Sequence, residues 1–124
     1  MKTIYLGDDL AECQNHPFGL SCELGTLYGG AVSPKRDRTY QIVWAPKPGS
    51  QTERFAIPVV FDLNTGNTIA KFDTLGKEAD NLLELSNDGS KLTVRTKNGI
   101  LFYDLKGLES DLYLRVSPKA IEAR

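Results

Sequence analysis

Strand-like stretches occupy most of the chain between positions 39 and 116, and apolar and polar residues alternate most clearly at 39–44. Alternation with a period of two is typical of β-strands that bury one face. The stretches cover positions 39–44, 56–63, 67–72, 82–86, 91–96, 99–105 and 112–116. Turn sequences such as Asn64-Thr65-Gly66 and Asn98-Gly99 separate them, as in β-hairpins. The pattern predicts an all-β, antiparallel domain of about eight or nine strands.

Proline and helix signals modify this pattern at three places. Pro58 lies in the most apolar stretch, and because proline has no N–H for a β-ladder, it predicts a strand start or an edge strand. Asp9 and Glu12 have the spacing of a capping box, which predicts a short helix over 10–12. Ser117-Pro118 predicts a helical tail over 118–124.

The strand pattern also repeats. The stretch VVFDL at 59–63 matches LFYDL at 101–105, which is 42 positions later. The stretch at 40–44 matches the one at 92–96, 52 positions later, so ten extra residues lie in the proline-rich loop 45–54 of the first copy. The sequence therefore predicts one domain, 1–124. It comprises an N-terminal strand, short helix and loop (1–24), two four-stranded units (25–73 and 80–117) and the tail.

A four-strand unit with a period near 40–45 residues is typical of propeller blades. The phrases VFDLNTGNTIAKF and LELSNDGSKLTVRTKNGILFYDL resemble blades of the WD-repeat and quinoprotein-like β-propeller superfamily. The resemblance covers the two units only, and the Gly-His and Trp-Asp dipeptides of true WD repeats are absent.

Two blades do not close a propeller ring, which needs about four to eight. Three architectures remain: the two units packed as a sandwich or barrel, a ring assembled from several chains, or a β domain without a true repeat. The sandwich or barrel is favoured. Because unpaired sheet edges promote association, a homodimer is expected.

The bulk properties narrow the partners and the location. Fifteen basic and sixteen acidic residues give a net charge of -1, which argues against a nucleic-acid or anionic-membrane partner. The N-terminus lacks the apolar run of a signal peptide, and no stretch approaches the ~18 apolar residues of a membrane span. We therefore expect a soluble cytoplasmic protein with reduced Cys13 and Cys22.

The densest reactive cluster lies in the stretch ECQNHPFGLSCE at 12–23. Cys13, His16 and Cys22 are three ligands that zinc would accept while keeping a fourth position for water. Alternatively, Cys13 and His16 would supply a nucleophile and its base. Either arrangement predicts a metal- or thiol-dependent hydrolase. No second ligand pair accompanies them, so two buried thiols and a loop histidine are favoured, with no cofactor.

The candidate binding residues are basic and lie in one part of the sequence: Lys35, Arg36, Arg38, Lys47 and Arg54. Together with Tyr40 and Trp44, this neighbourhood would suit single-stranded nucleic acid, which binds to cationic grooves with stacking aromatics. The favoured interpretation is a solvated hairpin tip, with both aromatic residues in the core.

These observations favour a non-enzymatic binding module for a protein partner or small ligand. Loop 45–54 is the expected contact surface, because it is the insertion that breaks the repeat and binding residues of β scaffolds concentrate in loops. Small bacterial accessory proteins, such as immunity, inhibitor or mobile-cassette proteins, would fit this description. The alternatives are the hydrolase built on Cys13, His16 and Cys22, and a nucleic-acid binder using 35–38.

Overall fold

The computed structural model describes residues 6, 9–14, 17–25, 30–77, 79–105 and 120–123, and the statements below concern these residues. They form a 3-10 helix, Ala11–Cys13, and nine strands: β1 (Glu23–Leu24), β2 (Ala31–Val32), β3 (Arg38–Pro46), β4 (Arg54–Asp62), β5 (Thr68–Lys71), β6 (Ala79–Leu85), β7 (Lys91–Thr96), β8 (Gly99–Asp104) and β9 (Ala120–Ala123). Every strand pairing is antiparallel. The predicted all-β fold is confirmed.

Two separate sheets divide the strands. The first sheet has the order β1-β3-β4-β5, with β2 also paired to β3, and the second has the order β6-β7-β8-β9. The hairpin β3–β4 is the longest pairing and runs from Arg38 opposite Asp62 to Pro46 opposite Arg54. Of the predicted alternatives, the structure shows two packed sheets and no closed barrel.

A core between the sheets follows from the alternation of side chains along each strand. Its buried members are Tyr40, Ile42, Ala56, Val60, Ile69, Ala70, Phe72, Ala79, Leu92, Val94, Tyr103 and Leu105. The rings of Phe72 and Tyr103 stack with their centroids 4.7 Å apart. Burial, together with the charge of Asp73, raises the pKa of the Tyr103 phenol to about 12. The phenol therefore stays neutral in this core at ordinary pH.

The opposite face of the first sheet, the first outer face, carries Val43, Val59 and Phe61. Residues 9–14 and 17–22, here called the N-terminal cover, pack on it through Leu10, which is 3% exposed. Both faces of the first sheet are therefore packed against other parts of the chain. The second outer face is the side of the second sheet that carries Thr93 and Phe102, a directly paired couple.

The two sheets share one pairing register. Thr39 pairs with Phe61 in the first sheet as Leu92 pairs with Tyr103 in the second. Strands β4 and β8 are thus offset by 42 residues (61 against 103), as predicted. Strands β3 and β7 are offset by 53 residues (39 against 92). The predicted offset of 52 is wrong by one, because it aligned apolar residues rather than paired positions.

The loops that precede these strands match as well. In 33–38 and in 86–91, the backbone N–H of the first residue donates to the carbonyl of the last, at 3.1 and 2.9 Å. The N–H of the fourth residue donates to the carbonyl of the first, at 2.8 and 2.9 Å. The fourth residues, Arg36 and Gly89, both have a left-handed backbone, with φ of 56° and 77°. The two loops therefore share one backbone geometry, and the internal repeat itself stays a prediction.

The corrected offset decides which faces correspond, because a shift of one residue moves a side chain to the opposite face. The inner face of the second sheet, with Leu92 and Tyr103, corresponds to the first outer face, with Thr39 and Phe61. The inner face of the first sheet likewise corresponds to the second outer face. The two sheets therefore stack front to back.

Pro58 is placed differently from the prediction. It lies in the middle of β4, opposite Ile42 of β3. Its carbonyl accepts a hydrogen bond from the N–H of Phe72 at 2.9 Å, so its missing donor lies on the side of β5, just beyond the end of that strand at Lys71. The chain pairs with β4 again at Gly76, opposite Ala56.

Both predicted terminal helices need correction. Residues 120–123 form β9, paired with β8 from Tyr103 opposite Ala120 to Ile100 opposite Ala123, because the edge of β8 offers hydrogen-bonding partners that an isolated helical turn lacks. The predicted strand 112–116 lies outside the described residues. Near the N-terminus, the single 3-10 turn has Leu10 as its N-cap, without a side-chain hydrogen bond. The capping box is therefore not formed.

Candidate functional site

Cys13 and Cys22 form a disulfide with their Cα atoms 5.1 Å apart. This differs from the reduced thiols that the sequence led us to expect, since a bonded sulfur is neither a thiolate nucleophile nor a zinc ligand. His16, the third predicted ligand, lies outside the described residues. Among the described residues, no group of three or more His, Cys, Asp or Glu side chains is arranged to hold a metal ion. A metal or thiol site in the reduced chain stays a prediction.

Three of the predicted binding residues lie in and beside the turn 33–37. Lys35 and Arg36 are exposed at its tip. Arg38 is only 7% exposed, and its Nε lies 3.3 Å from Oδ1 of Asp37. The Ser33 hydroxyl donates to the Asp37 carboxylate at 2.7 Å, which lowers its pKa, and Arg38 acts in the same direction. Arg38 therefore stabilises this turn and is not free to meet a ligand.

The other two lie at the loop between β3 and β4. Lys47 and Lys77 both form ion pairs with Glu53, and these cations, Lys77 first, lower the pKa of the Glu53 carboxyl. Arg54 donates to the carbonyl of Ser21 at 3.0 Å and lies 3.6 Å from the Glu23 carboxylate. The cations of this loop thus have acidic partners of their own.

The structure separates the two basic groups. Arg38 begins β3 and Pro46 ends it, which places the two ends of the strand about 27 Å apart at 3.4 Å per residue. Tyr40 is buried in the core, as the favoured interpretation predicted, and the partly buried Trp44 packs against that core. A single groove combining all five cations with both aromatics is therefore not formed.

The second outer face holds exposed apolar side chains that the sequence analysis missed. Leu82, Ile100 and Phe102 are 49%, 41% and 37% exposed. Thr93 pairs with Phe102 and with Glu84 on the same face. Because singly scattered surface apolars are normal but clustered ones mark interaction sites, this apolar face is the candidate site.

A signal for this face is present in β8. Its apolar residues run consecutively from Ile100 to Tyr103, so both faces of the strand are apolar, as in strands that are covered on two sides. Tyr103 is buried in the inter-sheet core, whereas Phe102 lies on the opposite side of the strand and is 37% exposed. The apolar run therefore predicts a second covering layer.

The first outer face is incompletely covered. A cleft of about 260 Å³ lies between the N-terminal cover and the sheet, lined among others by Leu10, Leu24 and Phe61. Leu24 is 46% exposed, and Val32, at the other end of β3, is 53% exposed. Leu24 pairs with Val43 and Val32 with Thr39, so both project from this face.

Charged side chains lie on the second outer face among the apolar ones, without one sign prevailing. They are Glu84, Lys91, Arg95 and Asp104. In the adjacent turn, the Asp88 carboxylate accepts from the backbone N–H of Ser90 at 3.0 Å and from the hydroxyls of Ser90 and Ser86 at 2.7 and 2.8 Å. These bonds lower the Asp88 pKa from 3.8 to about 2. The turn at the border is thus held by an ionised carboxylate.

No helix within the described ranges has the length and apolar character to cross a membrane. Comparison with protein-family models, with curated proteins and with solved structures finds no match to this chain. The resemblance to propeller blades therefore stays a prediction.

Proposed function

We propose that this protein is a non-enzymatic protein-binding module whose binding surface is the second outer face. One observation carries the proposal. Leu82, Ile100 and Phe102 are exposed on this face, whereas the corresponding face of the first sheet is buried under the second sheet. Burying apolar surface is worth about 25 cal/mol per Å², so a covering partner would gain free energy at this face.

A protein partner fits this face better than a small ligand. The face is a sheet surface, whereas small molecules are held in concave pockets that enclose most of their surface. Loop 45–54, the contact surface expected from the sequence, is exposed at Lys47, Pro48 and Gly49. Its charges are paired within the chain, so it makes a smaller contribution in this proposal.

Photo-cross-linking in the native host tests the proposal. A photoreactive phenylalanine analogue at position 102 should give cross-linked protein products, and the same analogue at the exposed loop position 51 should give few. Each product is then purified and its affinity measured by calorimetry against the wild type and Phe102→Glu. The proposal fails if position 102 gives no product, or if Phe102→Glu binds as tightly as the wild type.

A direct measurement decides in which cellular compartment this interaction takes place. The cytoplasm was expected because the N-terminus lacks the apolar run of a signal peptide, and the cysteines were expected to be reduced there, whereas disulfides are typical of oxidising compartments. Alkylation of the protein in freshly lysed native cells decides between them. Modification of Cys13 and Cys22 supports the cytoplasm, and protection of both supports an oxidising compartment.

A further inference from the structure

We infer that the partner of the second outer face is the first outer face of another copy of this chain, so that copies stack head to tail. This inference rests on the proposed function and names its partner. It starts from the one sheet-to-sheet contact that the chain already makes. There, the Tyr40 and Val60 face of the first sheet packs on the Leu92 and Tyr103 face of the second.

The repeat identifies which two outer faces of the chain correspond to the two sides of this contact. The second outer face corresponds by register to the Tyr40 face, and the first outer face corresponds to the Leu92 face. A copy placed on the second outer face through its own first outer face would therefore continue the front-to-back stacking of the two sheets, with the N-terminal cover lying within the new contact.

Exposed apolar side chains lie where this stacking needs them. Among the described residues, six large hydrophobic side chains are more than a third exposed, and five of them belong to these two faces: Leu24 and Val32 on the first, and Leu82, Ile100 and Phe102 on the second. The cleft beside Leu24 gives the first outer face a recess. The second outer face, with Phe102 at its centre, supplies the projecting side chains.

The N-terminal cover limits the contact. Leu10 occupies the middle of the first outer face, so an incoming copy meets the rim, the cleft and the cover itself. Because the two contacting surfaces differ, the interface is heterologous, and such interfaces give closed rings or open chains of copies. This differs from the homodimer expected from the sequence.

Self-association of purified full-length protein tests the inference through complementary variants. Sedimentation is measured up to about 1 mM, a concentration at which even a millimolar Kd gives substantial association. The wild type should form species larger than a monomer. Phe102→Glu and Leu24→Glu should each be monomeric alone, with at least tenfold weaker association. Mixed together, they should form a one-to-one heterodimer, because each retains the face that the other lacks.

Several outcomes would overturn the inference. These are a monomeric wild type, a Leu24→Glu variant that still associates by itself, and a mixture that stays monomeric. Gln51→Glu, in the exposed loop, is the charge-matched control and should associate as the wild type does. Unchanged melting temperatures show that the variants are folded. A monomeric wild type combined with a verified different partner cross-linked at 102 would refute only this inference, whereas no partner at 102 would refute the proposed function too.

Discussion

Asp9 and Thr68, which are 59 residues apart in the sequence, are joined by three hydrogen bonds. The backbone N–H of Thr68 donates to both carboxylate oxygens of Asp9, at 3.0 and 2.9 Å, and its hydroxyl donates to Oδ1 at 2.9 Å. Lys71, which lies on the same strand as Thr68, β5, forms an ion pair with Glu12 of the N-terminal cover. These contacts attach the N-terminal cover to the first sheet.

Replacing Asp9 by alanine should therefore destabilise the protein. Hydrogen bonds to a charged acceptor contribute more than neutral ones, and the loss here should be about 1–2 kcal/mol in the free energy of unfolding. Urea denaturation followed by circular dichroism measures it. Glu84→Ala, at an exposed strand position, is the control and should stay within about 0.5 kcal/mol of the wild type. Equal losses in both variants would contradict a specific role for Asp9.

The disulfide should stabilise the same cover. Cys13 and Cys22 are nine positions apart, and closing a loop of this size should contribute about 2.5 kcal/mol by restricting the unfolded chain. The double variant Cys13→Ser/Cys22→Ser should unfold at correspondingly lower urea concentration under non-reducing conditions. Adding reductant should bring the wild type to the level of the variant and leave the variant unchanged. A variant as stable as the oxidised wild type would show that the bond does not constrain unfolding.

The carboxylate of Asp88 should make stability depend on pH in an acidic window. Its pKa is lowered from 3.8 to about 2 in the folded protein, first by the backbone N–H of Ser90. A group with a depressed folded pKa stabilises the fold above its unfolded pKa and loses that contribution as the pH falls through its folded pKa. The contribution should therefore be complete above pH 3.8 and disappear towards pH 2.

Asp88→Asn isolates this effect, because the amide keeps an acceptor but does not titrate. Melting temperatures measured from pH 6 to pH 2 should show a lower value for the variant near neutral pH. The difference from the wild type should shrink between pH 3.8 and about 2. A difference that stays constant over this window would mean that the ionisation of Asp88 does not contribute.

The equivalent loops predict opposite effects of substitution at their left-handed residues. Arg36 has φ of 56° and Gly89 has φ of 77°, and non-glycine residues pay about 1 kcal/mol or more in this region. Arg36→Gly should therefore change stability little or raise it by up to about 1 kcal/mol, whereas Gly89→Ala should lower it by about that amount. Thermal melts of the two variants measure both effects. Similar losses at both positions would contradict the equivalence of the loops.

Local chemistry made the turns and strands predictable from the sequence. The turn at Gly66 forms as predicted, with φ of 78° and its N–H donating to the Asp62 carbonyl at 2.7 Å. Gly89 likewise occupies the predicted Asn-Asp-Gly turn. Such turns depend on a few neighbouring residues with strong preferences. The burial of Tyr40 in the core followed from the alternation in its strand.

Contacts between distant segments could not be read in the same way. Residues 120–123 pair with β8 although the preceding Ser117-Pro118 favours a helix, because tertiary partners override local preference. The one-residue error in the repeat hid which faces correspond, and with it the exposure of Phe102. The pairing of Cys13 with Cys22 depends on where the chain places Cys22 just before β1, and the spacing of the cysteines does not specify that.

Pro58 has a consequence for how this protein meets other chains. By withholding a donor just where β5 ends, it restricts that strand to the four residues Thr68–Lys71. The opposite border of the first sheet is formed by β1 and β2, with two residues each. Such short borders are poor templates for strand addition by another polypeptide. The first sheet is therefore protected against amyloid-like growth along its hydrogen-bonding direction, even though the second sheet displays exposed apolar side chains.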